Sequence, residues 1–414
     1  MEQTRNGSEF LEYLRKQNGK QRQTFDAFYS YLEKKARIQG VPLSGEFELT
    51  PMCNLNCKMC YVHLSPEQMN NRELLAVEQW KDLMYQAYKA GMLHATLTGG
   101  ECLTYPGFRE LFLYLHSLGC EVSVFTNGAL LNKDWIDFFK QHTPAEIQIT
   151  LYGANEEIYQ RVTGSRVFSR VIENIHLLKE ADLPVRLCIT PSRYLGEDVF
   201  ETVHTAYNLY HNVTINSNLF KPKEETGRSE QKDDPDTEMY IRIFQYLASL
   251  SGRELKTIEE TQLPEPGNPV KPVRDYYPDC KSSERDKSSV VEIKNSCDAC
   301  GQPLTHNVYG LLCGGGRSSF TIDWKGAMIP CSMMDMIKAE PLRDGFISAW
   351  QKINSAANSW PRPVECENCE YRSVCNNCAA YMLQFAGPGE RPLPLCNSTK
   401  KLVSAGLLNI SDCV

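Results

Sequence analysis

Short strand-like segments and helical segments alternate along residues 46–216, and this alternation restricts the fold more than any other feature of the chain. A strand, a helix and the next strand form a right-handed βαβ crossover, which places successive strands parallel in one sheet. Six strands fit, fewer than the eight of a closed (β/α)8 barrel. The pattern predicts strands at 46–50, 94–98, 121–125, 146–150, 185–190 and 213–216, with helices near 76–90, 107–118, 132–141, within 155–180, 197–210 and 236–250.

The predicted strands alternate apolar with polar residues, whereas parallel strands covered on both faces are usually apolar throughout. In 146–150, Ile147 and Ile149 would face the helices and Gln148 and Thr150 the opposite side. A polar inner face indicates a wet, ligand-holding lumen inside an incompletely closed barrel. The alternative is a sheet with one face in solvent.

The overall composition limits the classes of binding partner that are expected for this chain. With 414 residues, 42% hydrophobic residues and a net charge of -7, the chain is predicted to be a soluble globular protein without the clustered Lys and Arg that a nucleic acid or an anionic membrane would require. The first residues do not show a charged n-region followed by an apolar h-region, and no apolar run approaches the length of a bilayer span, so the sequence does not suggest export or insertion. We therefore expect a cytoplasmic protein with neither nucleic-acid nor membrane partners.

The 17 cysteines are an odd number and fall into groups. Because cytosolic thiols stay reduced, such grouping indicates metal binding more than disulfides. Cys53, Cys57 and Cys60 directly follow the first predicted strand, at the end of a parallel barrel that carries active sites. A structural zinc site uses four protein ligands, and an iron–sulfur cubane takes one thiolate per iron, so three thiolates would leave one iron open.

Cys53-x3-Cys57-x2-Cys60 in this position resembles the signature of the radical S-adenosylmethionine (radical SAM) enzymes, and the resemblance covers roughly residues 45–220. It implies that the three cysteines hold a [4Fe-4S] cluster that binds S-adenosylmethionine (SAM) at the fourth iron. Reduction then cleaves SAM to methionine and a 5′-deoxyadenosyl radical, which abstracts a hydrogen atom from the substrate. Met59 and Cys102 depart from the residues that are frequent in the family at these positions.

Three further segments, TGGE (98–101), TNG (126–128) and ITLYG (149–153), also resemble the family's SAM-binding loops. For Gly99 and Gly100 the alternative is a tight turn, and for Arg161 a solvated helix surface. The residues that the resemblance assigns to SAM are Tyr61, Gly99, Gly100, Glu101, Asn127, Thr150 and Arg161.

The C-terminal cysteines resemble a SPASM domain, which holds auxiliary [4Fe-4S] clusters in peptide- and protein-modifying radical SAM enzymes. The segment around Lys325 and Gly326 predicts a short hairpin. The interval between Cys375 and Cys378 is shorter than is usual in the family, and zinc is the alternative metal. The resemblance implies one cluster on Cys366, Cys369, Cys375 and Cys396 and a second on Cys313, Cys331 and Cys378. The second is one ligand short, and the alternatives are a site left open for substrate or completion by Cys297 or Cys300.

Two more residues are candidates for catalysis. Cys188 lies on the fifth predicted strand, on the polar face, and could donate a hydrogen atom to a substrate radical. Glu48 on the first strand could act as a base. The alternative for Cys188 is a small buried core residue.

These features together predict a radical SAM/SPASM maturase of a ribosomally made peptide or a protein side chain. A thioether or carbon–carbon crosslink is the first expectation, ahead of epimerisation or sulfatase-maturase-like oxidation, and the electron donor would be a reduced flavodoxin or ferredoxin. The alternatives are a radical SAM enzyme acting on a small molecule and a non-catalytic iron–sulfur or zinc carrier. The predicted domains are a helical lead-in (1–44), the partial (β/α)6 TIM-type barrel (45–251), a linker (252–296) and the loop-rich iron–sulfur domain (297–414).

Overall fold

The structure is a computed structural model, and it describes residues 29, 31–69, 72–216, 237–251, 310–367, 369–372, 374–375 and 378–408. Its strands are β1 (Ser44–Glu48), β2 (His94–Thr98), β3 (Glu121–Thr126), β4 (Glu146–Thr150), β5 (Val185–Ile189), β6 (Val213–Ile215), β7 (Ser319–Ile322) and β8 (Met328–Ile329). Its helices are α1 (31–39), α2 (Pro66–Met69), α3 (Val77–Lys89), α4 (Phe108–Ser117), α5 (Lys133–Gln141), α6 (Glu156–Thr163), α7 (Phe168–Glu180), α8 (Val199–Leu209), α9 (Thr237–Leu250), α10 (Pro341–Asp344), α11 (Phe346–Asn358), α12 (Ala379–Met382) and α13 (Leu393–Ser404).

The strands form one sheet in the order β6-β5-β4-β3-β2-β1-β7-β8. Neighbouring strands are parallel except β7 and β8, which are antiparallel. Within the described residues, β6 and β8 end the sheet and do not pair with each other, so the barrel is open. The predicted α/β fold with a partial (β/α)6 TIM-type barrel is confirmed.

The hairpin predicted around Lys325 and Gly326 is formed by β7 and β8. The Asp323 carboxylate accepts hydrogen bonds from the N–H groups of Lys325 (3.0 Å) and Ala327 (2.9 Å), and Gly326 has a φ of 89°, which favours glycine. The sequence did not predict where this hairpin would dock. It extends the barrel sheet, because β7 runs parallel to β1 over four residue pairs.

The inner face of the sheet is polar and enclosed. On β2, β3 and β4 the apolar residues other than the half-buried Phe125 are buried, and the polar residues that alternate with them are mostly half-buried. On β1, Glu48 is fully buried. Half-buried polar side chains favour the predicted lumen over a sheet face in open solvent.

The core around β1 is aromatic. Phe47 is fully buried, and its ring meets Trp80 of α3 and Phe320 of β7 edge-on, with centroid distances of 6.1 Å and 6.0 Å. At the N-terminal end of the strands, the Tyr29 ring lies 4.4 Å from that of His94. The loops at the opposite, C-terminal end carry the predicted site residues.

The chain divides into two compact units, one formed by Met1–Arg253 and Cys313–Asn358, the other by Glu254–Leu312 and Ser359–Val414. The first contains the sheet. In its described residues, the α-helices of the second are α12 and α13. The predicted domain limits placed Cys313–Asn358 with the C-terminal domain, and the predicted linker lies outside the described residues. No helix in the described part of the chain is long and apolar enough to cross a lipid bilayer.

Candidate active site

The loop after β1 carries Cys53, Cys57 and Cys60 at the C-terminal end of the sheet. Cys57 is buried, and the other two are half-buried. All three lie around Tyr152, whose pKa is raised well above its usual value, first by burial and then by the charges of Cys57, Cys60 and Cys53. The fold therefore brings together the three predicted cluster ligands, on one loop beside one aromatic side chain.

The C-terminal end of α6 holds this loop in place. The N–H groups of Asn56 and Lys58 donate to the carbonyl oxygens of Thr163 (2.9 Å) and Val162 (3.0 Å). Carbonyls in the last turn of a helix have no acceptor role inside that helix, and α6 ends at Gly164 with a φ of 75°. The helix end thus supplies acceptors that fix the backbone between the first and third cysteines.

Backbone donors reach two of the thiols. Leu55 N–H lies 3.4 Å from Cys53 Sγ, and His63 N–H lies 3.3 Å from Cys60 Sγ. Burial, and then the charge of Glu101, raise the pKa of Cys53 to about 12, so this thiol is neutral at pH 7 in the absence of metal. Coordination to a metal deprotonates a thiol outright. Three converging thiols with N–H donors therefore fit an iron–sulfur cluster.

A single metal ion fits less well. In the part of the chain that the structure describes, no three His, Cys, Asp or Glu side chains are spaced to bind one ion. A four-iron cluster does not need that spacing, because each thiolate bonds to a different iron. A structural zinc site would need four protein ligands around one ion.

Gly99 and Gly100 bring the loop after β2 directly against the cysteine loop. Gly99 has a φ of 147°, and a Cβ built on it would lie 2.4 Å from the Thr50 carbonyl oxygen. A Cβ on Gly100 would lie 2.4 Å from the Met52 oxygen, and Gly100 N–H donates to Thr50 over 2.6 Å. Only glycine permits this approach of two backbones. The contact of these residues with SAM stays a prediction.

Glu101 is buried and joins the loops after β2 and β3. Its carboxylate accepts hydrogen bonds from Thr126 Oγ1 (2.8 Å), Asn127 N–H (2.8 Å) and Leu103 N–H (3.2 Å). Burial raises the pKa of Glu101, and these hydrogen bonds oppose that shift. The carboxylate thus holds two loops together at the candidate site.

The other residues assigned to SAM lie in different surroundings. Asn127 is buried, with its side chain 3.5 Å from Cys53 Sγ. Thr150 is half-buried at the end of β4. Arg161 is exposed on α6, pairs with Asp198 and donates Nε–H to the Tyr194 carbonyl oxygen over 3.0 Å. Its surroundings match the helix-surface alternative, and its contact with SAM stays a prediction.

Tyr61 belongs to an acidic cluster on the inner side of β1. Burial, and then the charges of Glu48 and Glu46, raise its pKa well above the usual value, and it is hydrogen-bonded to Ser332. Ser332 Oγ also donates to Glu46 over 2.6 Å. The sequence did not predict Ser332 as part of this cluster, and the only signal for it was its position next to Cys331.

Cys188 is buried on β5, beside Thr150 of β4. Burial raises the pKa of its thiol to about 11, against the smaller opposing effect of the Arg186 charge. The thiol therefore keeps its hydrogen at pH 7, which a hydrogen-atom donor requires. Burial equally fits the alternative of a core residue.

Four C-terminal cysteines converge in the second unit. Burial, and then the charges of Cys369, Cys396 and Cys375, raise the pKa of Cys366 to about 11. Arg391 is hydrogen-bonded to Cys396 and lies near Cys369, which places a positive charge beside the group. These four are the residues that the sequence assigned to one auxiliary cluster.

The three cysteines assigned to the other cluster lie elsewhere in the chain. Cys378 precedes α12 in the second unit. Cys313 and Cys331 flank the β7–β8 hairpin in the first unit, where a Cβ on Gly315 would lie 3.5 Å from Cys313 Sγ and 3.2 Å from the Pro330 carbonyl oxygen. Cys297 and Cys300, the candidates for a fourth ligand, are outside the described residues.

The family model of the Radical SAM superfamily matches residues 47–223, which include the cysteine loop and the TGGE, TNG and ITLYG segments. The chain contains a radical SAM domain. The resemblance drawn from the spacing of Cys53, Cys57 and Cys60 is thereby confirmed for residues 47–223.

The curated proteins that are similar to this chain include two that align with very different shares of it. The chain is 23% identical over 356 residues to the AdoMet-dependent heme synthase of Methanosarcina barkeri (strain Fusaro / DSM 804). This alignment covers 84% of the chain and 95% of the heme synthase. The chain is also 31% identical over 152 residues to the antilisterial bacteriocin subtilosin biosynthesis protein AlbA of Bacillus subtilis (strain 168). This alignment covers 36% of the chain and 33% of AlbA. The chain thus matches only about a third of AlbA.

Among solved structures, Streptococcus suis SuiB has a similar fold beyond the radical SAM domain. Its structure with S-adenosylmethionine gives a TM-score of 0.61 at 15% identity, covering 92% of this chain and 83% of SuiB. Its structure with the precursor peptide SuiA gives 0.61 at 16% identity, covering 91% and 80%. At these identities the likeness establishes the fold alone.

Proposed function

We propose that this protein is a radical SAM maturase that modifies a ribosomally synthesised peptide or a protein side chain. The observation that carries the proposal is the loop with Cys53, Cys57 and Cys60, held by α6 at the C-terminal end of an open parallel barrel with a polar lumen. The relative AlbA acts in bacteriocin biosynthesis, and SuiB was solved with a precursor peptide, which supports a peptide as the substrate class. A thioether or carbon–carbon crosslink is the proposed product, with epimerisation or sulfatase-maturase-like oxidation as alternatives.

In this proposal Cys53, Cys57 and Cys60 hold a [4Fe-4S] cluster, with one iron left for the amino and carboxylate groups of SAM. When bound, this pair supplies reductive cleavage of SAM and hence a 5′-deoxyadenosyl radical that removes a hydrogen atom from the substrate. The protein's part is to orient both and exclude water, and the burial of Cys57 serves the second purpose. The residues proposed to contact SAM are Tyr61, Gly99, Gly100, Glu101, Asn127, Thr150 and Arg161.

Two buried groups on the polar face are proposed to act on the substrate. The neutral Cys188 thiol would donate its hydrogen atom to a substrate carbon radical. The Glu48 carboxylate would accept a proton from the substrate, and it lies close enough to Tyr61 to raise the pKa of that phenol.

The C-terminal cysteines are proposed to hold one or two auxiliary [4Fe-4S] clusters. The convergence of Cys369, Cys375 and Cys396 on Cys366 supports the first of them. The second would use Cys313, Cys331 and Cys378. The remaining proposals are reduction by a flavodoxin or ferredoxin, a cytoplasmic location and no nucleic-acid partner.

Release of 5′-deoxyadenosine tests the proposal. Anaerobically reconstituted, dithionite-reduced protein given SAM should release it, and the Cys57→Ala variant should not, because that variant lacks one of the three cluster ligands. Cys120→Ala is the matched control, since Cys120 is a buried thiol that donates to the Met92 carbonyl oxygen and belongs to neither cysteine group. No release from the wild-type protein would favour the non-catalytic carrier.

A second candidate is a heme-synthase reaction on a small molecule. It is favoured by the Methanosarcina barkeri relative, because that match covers nearly the whole of both proteins, whereas AlbA is matched over a third of its length. Mass spectrometry distinguishes the two candidates. A peptide encoded beside the gene should lose two hydrogen atoms on crosslinking if the protein is a maturase, and a haem precursor should change mass instead if it is a heme synthase.

A further inference from the structure

The carboxamide of Asn127 is fully engaged by the protein. Its Nδ2 donates to Cys53 Sγ over 3.5 Å and to Asn54 Oδ1 over 2.8 Å. Its Oδ1 accepts the N–H of Ala129 over 2.9 Å. Both donor hydrogens of the amide are therefore used, one of them on the first of the three cluster ligands.

The direction of these hydrogen bonds is fixed by the backbone. A backbone N–H can only donate, so the atom that faces Ala129 must be the oxygen, and Nδ2 must face Cys53. The Asn127 side chain is also buried, which excludes the water that would otherwise compete for these bonds.

Glu101 holds the backbone from which this side chain extends. One carboxylate oxygen accepts Asn127 N–H over 2.8 Å, and the other accepts Thr126 Oγ1 over 2.8 Å. Thr126 Oγ1 in turn accepts Gly128 N–H over 3.1 Å. The loops after β1, β2 and β3 are thus joined through one buried network that ends on the Cys53 sulfur.

We propose that Asn127 is a positioning residue that sets the reduction potential of the first cluster through its N–H···S hydrogen bond to Cys53. The inference rests on the proposed function, which places that cluster on Cys53. A hydrogen bond to a ligand sulfur stabilises the reduced cluster, whose sulfur atoms carry more negative charge, and so raises the potential. This role is separate from the proposed contact of Asn127 with SAM, because it uses only the amide hydrogens, which Cys53 and Asn54 engage.

The test is a redox titration followed by electron paramagnetic resonance, without SAM, on wild-type, Asn127→Asp and Asn127→Ala protein. The first cluster's signal is the part that disappears in the Cys53→Ala/Cys57→Ala/Cys60→Ala variant. We expect the ratio of reduced to oxidised first cluster at a fixed potential to fall about ten-fold in Asn127→Asp, or ~59 mV for a one-electron couple. The Asn127→Ala variant should also have a lower reduction potential than the wild type, and it does so without introducing a negative charge.

Asn132→Asp is the matched control. It makes the same substitution after the same strand, at an exposed N-cap whose Oδ1 accepts Trp135 N–H over 3.1 Å, a bond that aspartate also makes. Its potential should equal that of the wild type. If neither Asn127 variant retains the cluster, the Asn54→Ala variant tests the proposal in their place. Asn54 is exposed, and its substitution removes the acceptor of one of the two hydrogen bonds that hold the Asn127 amide group. A lowered potential is expected there too.

The outcomes separate the two proposals. If the triple cysteine variant loses no signal, the cluster is not on this loop and the proposed function fails. If that signal is lost but the decisive variants have the wild-type potential, the cluster assignment stands and the role of Asn127 is wrong.

Discussion

Gly99 and Gly100 set how closely the loop after β2 approaches the cysteine loop. Their missing side chains let the two backbones meet, because a Cβ on either residue would lie 2.4 Å from a carbonyl oxygen. The sequence allowed two explanations for these glycines, a tight turn or contact with SAM. The structure adds a third reason, which is direct packing against the loop that carries Cys53.

Gly99→Ala should destabilise the first unit more than Gly119→Ala. Both glycines have positive φ, 147° and 81°, but an added Cβ at Gly119 has no atom within 4 Å. Gly119→Ala should therefore lower the free energy of unfolding by about 1–2 kcal/mol, the cost of the backbone conformation. Gly99→Ala adds a backbone clash and should exceed about 3 kcal/mol. Urea denaturation measures both, and equal losses would contradict the packing role.

At this scale the sequence predicted the residues that lie close together in the chain. Cys53, Cys57 and Cys60 were identified because their spacing is local. The hydrogen bond from Asn127 to Cys53 spans 74 residues, and that from Ser332 to Glu46 spans 286. Such polar contacts depend on which loops the tertiary fold brings together, and no local pattern in a single sequence contains that information.

Among the secondary-structure elements, the six barrel strands were predictable because each carries its own alternation of apolar and polar residues. The hairpin of β7 and β8 was predictable for a similar reason, since its turn needs Asp323 and Gly326. The docking of this hairpin beside β1 was not predictable from the sequence. That docking depends on the packing of Phe320 against Phe47, two residues far apart in the chain.

Phe47→Ala should be strongly destabilising, because it leaves a cavity between β1, α3 and β7. We expect a loss of about 3–5 kcal/mol in the free energy of unfolding of the first unit, typical of a buried aromatic residue. Leu113→Ala on α4 is the control, since 38% of Leu113 is exposed. It should change stability by less than about 0.5 kcal/mol. Thermal or urea unfolding that failed to separate the two variants would argue against the aromatic core.

In the whole molecule, the chain leaves the first unit after Arg253 and returns to it at Cys313. The sequence placed Cys313–Asn358 with the C-terminal cysteines because the cysteines form one dense group. Contacts join this segment to the barrel through β7, which pairs with β1, and through α11, where Phe346 N–H donates to Gln86 Oε1 over 3.0 Å. Cysteine density reflects metal chemistry, whereas compact units are defined by apolar packing, and the two need not coincide.

The metal content of the second unit tests its proposed cluster. Cys366→Ala combined with Cys369→Ala should lower iron and sulfide by about four atoms each per chain, because one cubane is lost. Cys120→Ala should leave both unchanged. Elemental analysis after anaerobic reconstitution measures the iron, sulfide and zinc content. If the double variant loses zinc and no iron, the four cysteines form a structural zinc site and the proposed cluster is wrong.

The position of β1 between β2 and β7 also has a consequence for biosynthesis. Ser44 of β1 pairs with Ser319 of β7, so one edge of an early strand must wait for residues that the ribosome adds much later. The nascent chain therefore exposes an open, hydrogen-bonding strand edge through most of its translation. We expect this late arrival to limit completion of the barrel and to make the half-made chain the species most exposed to aggregation.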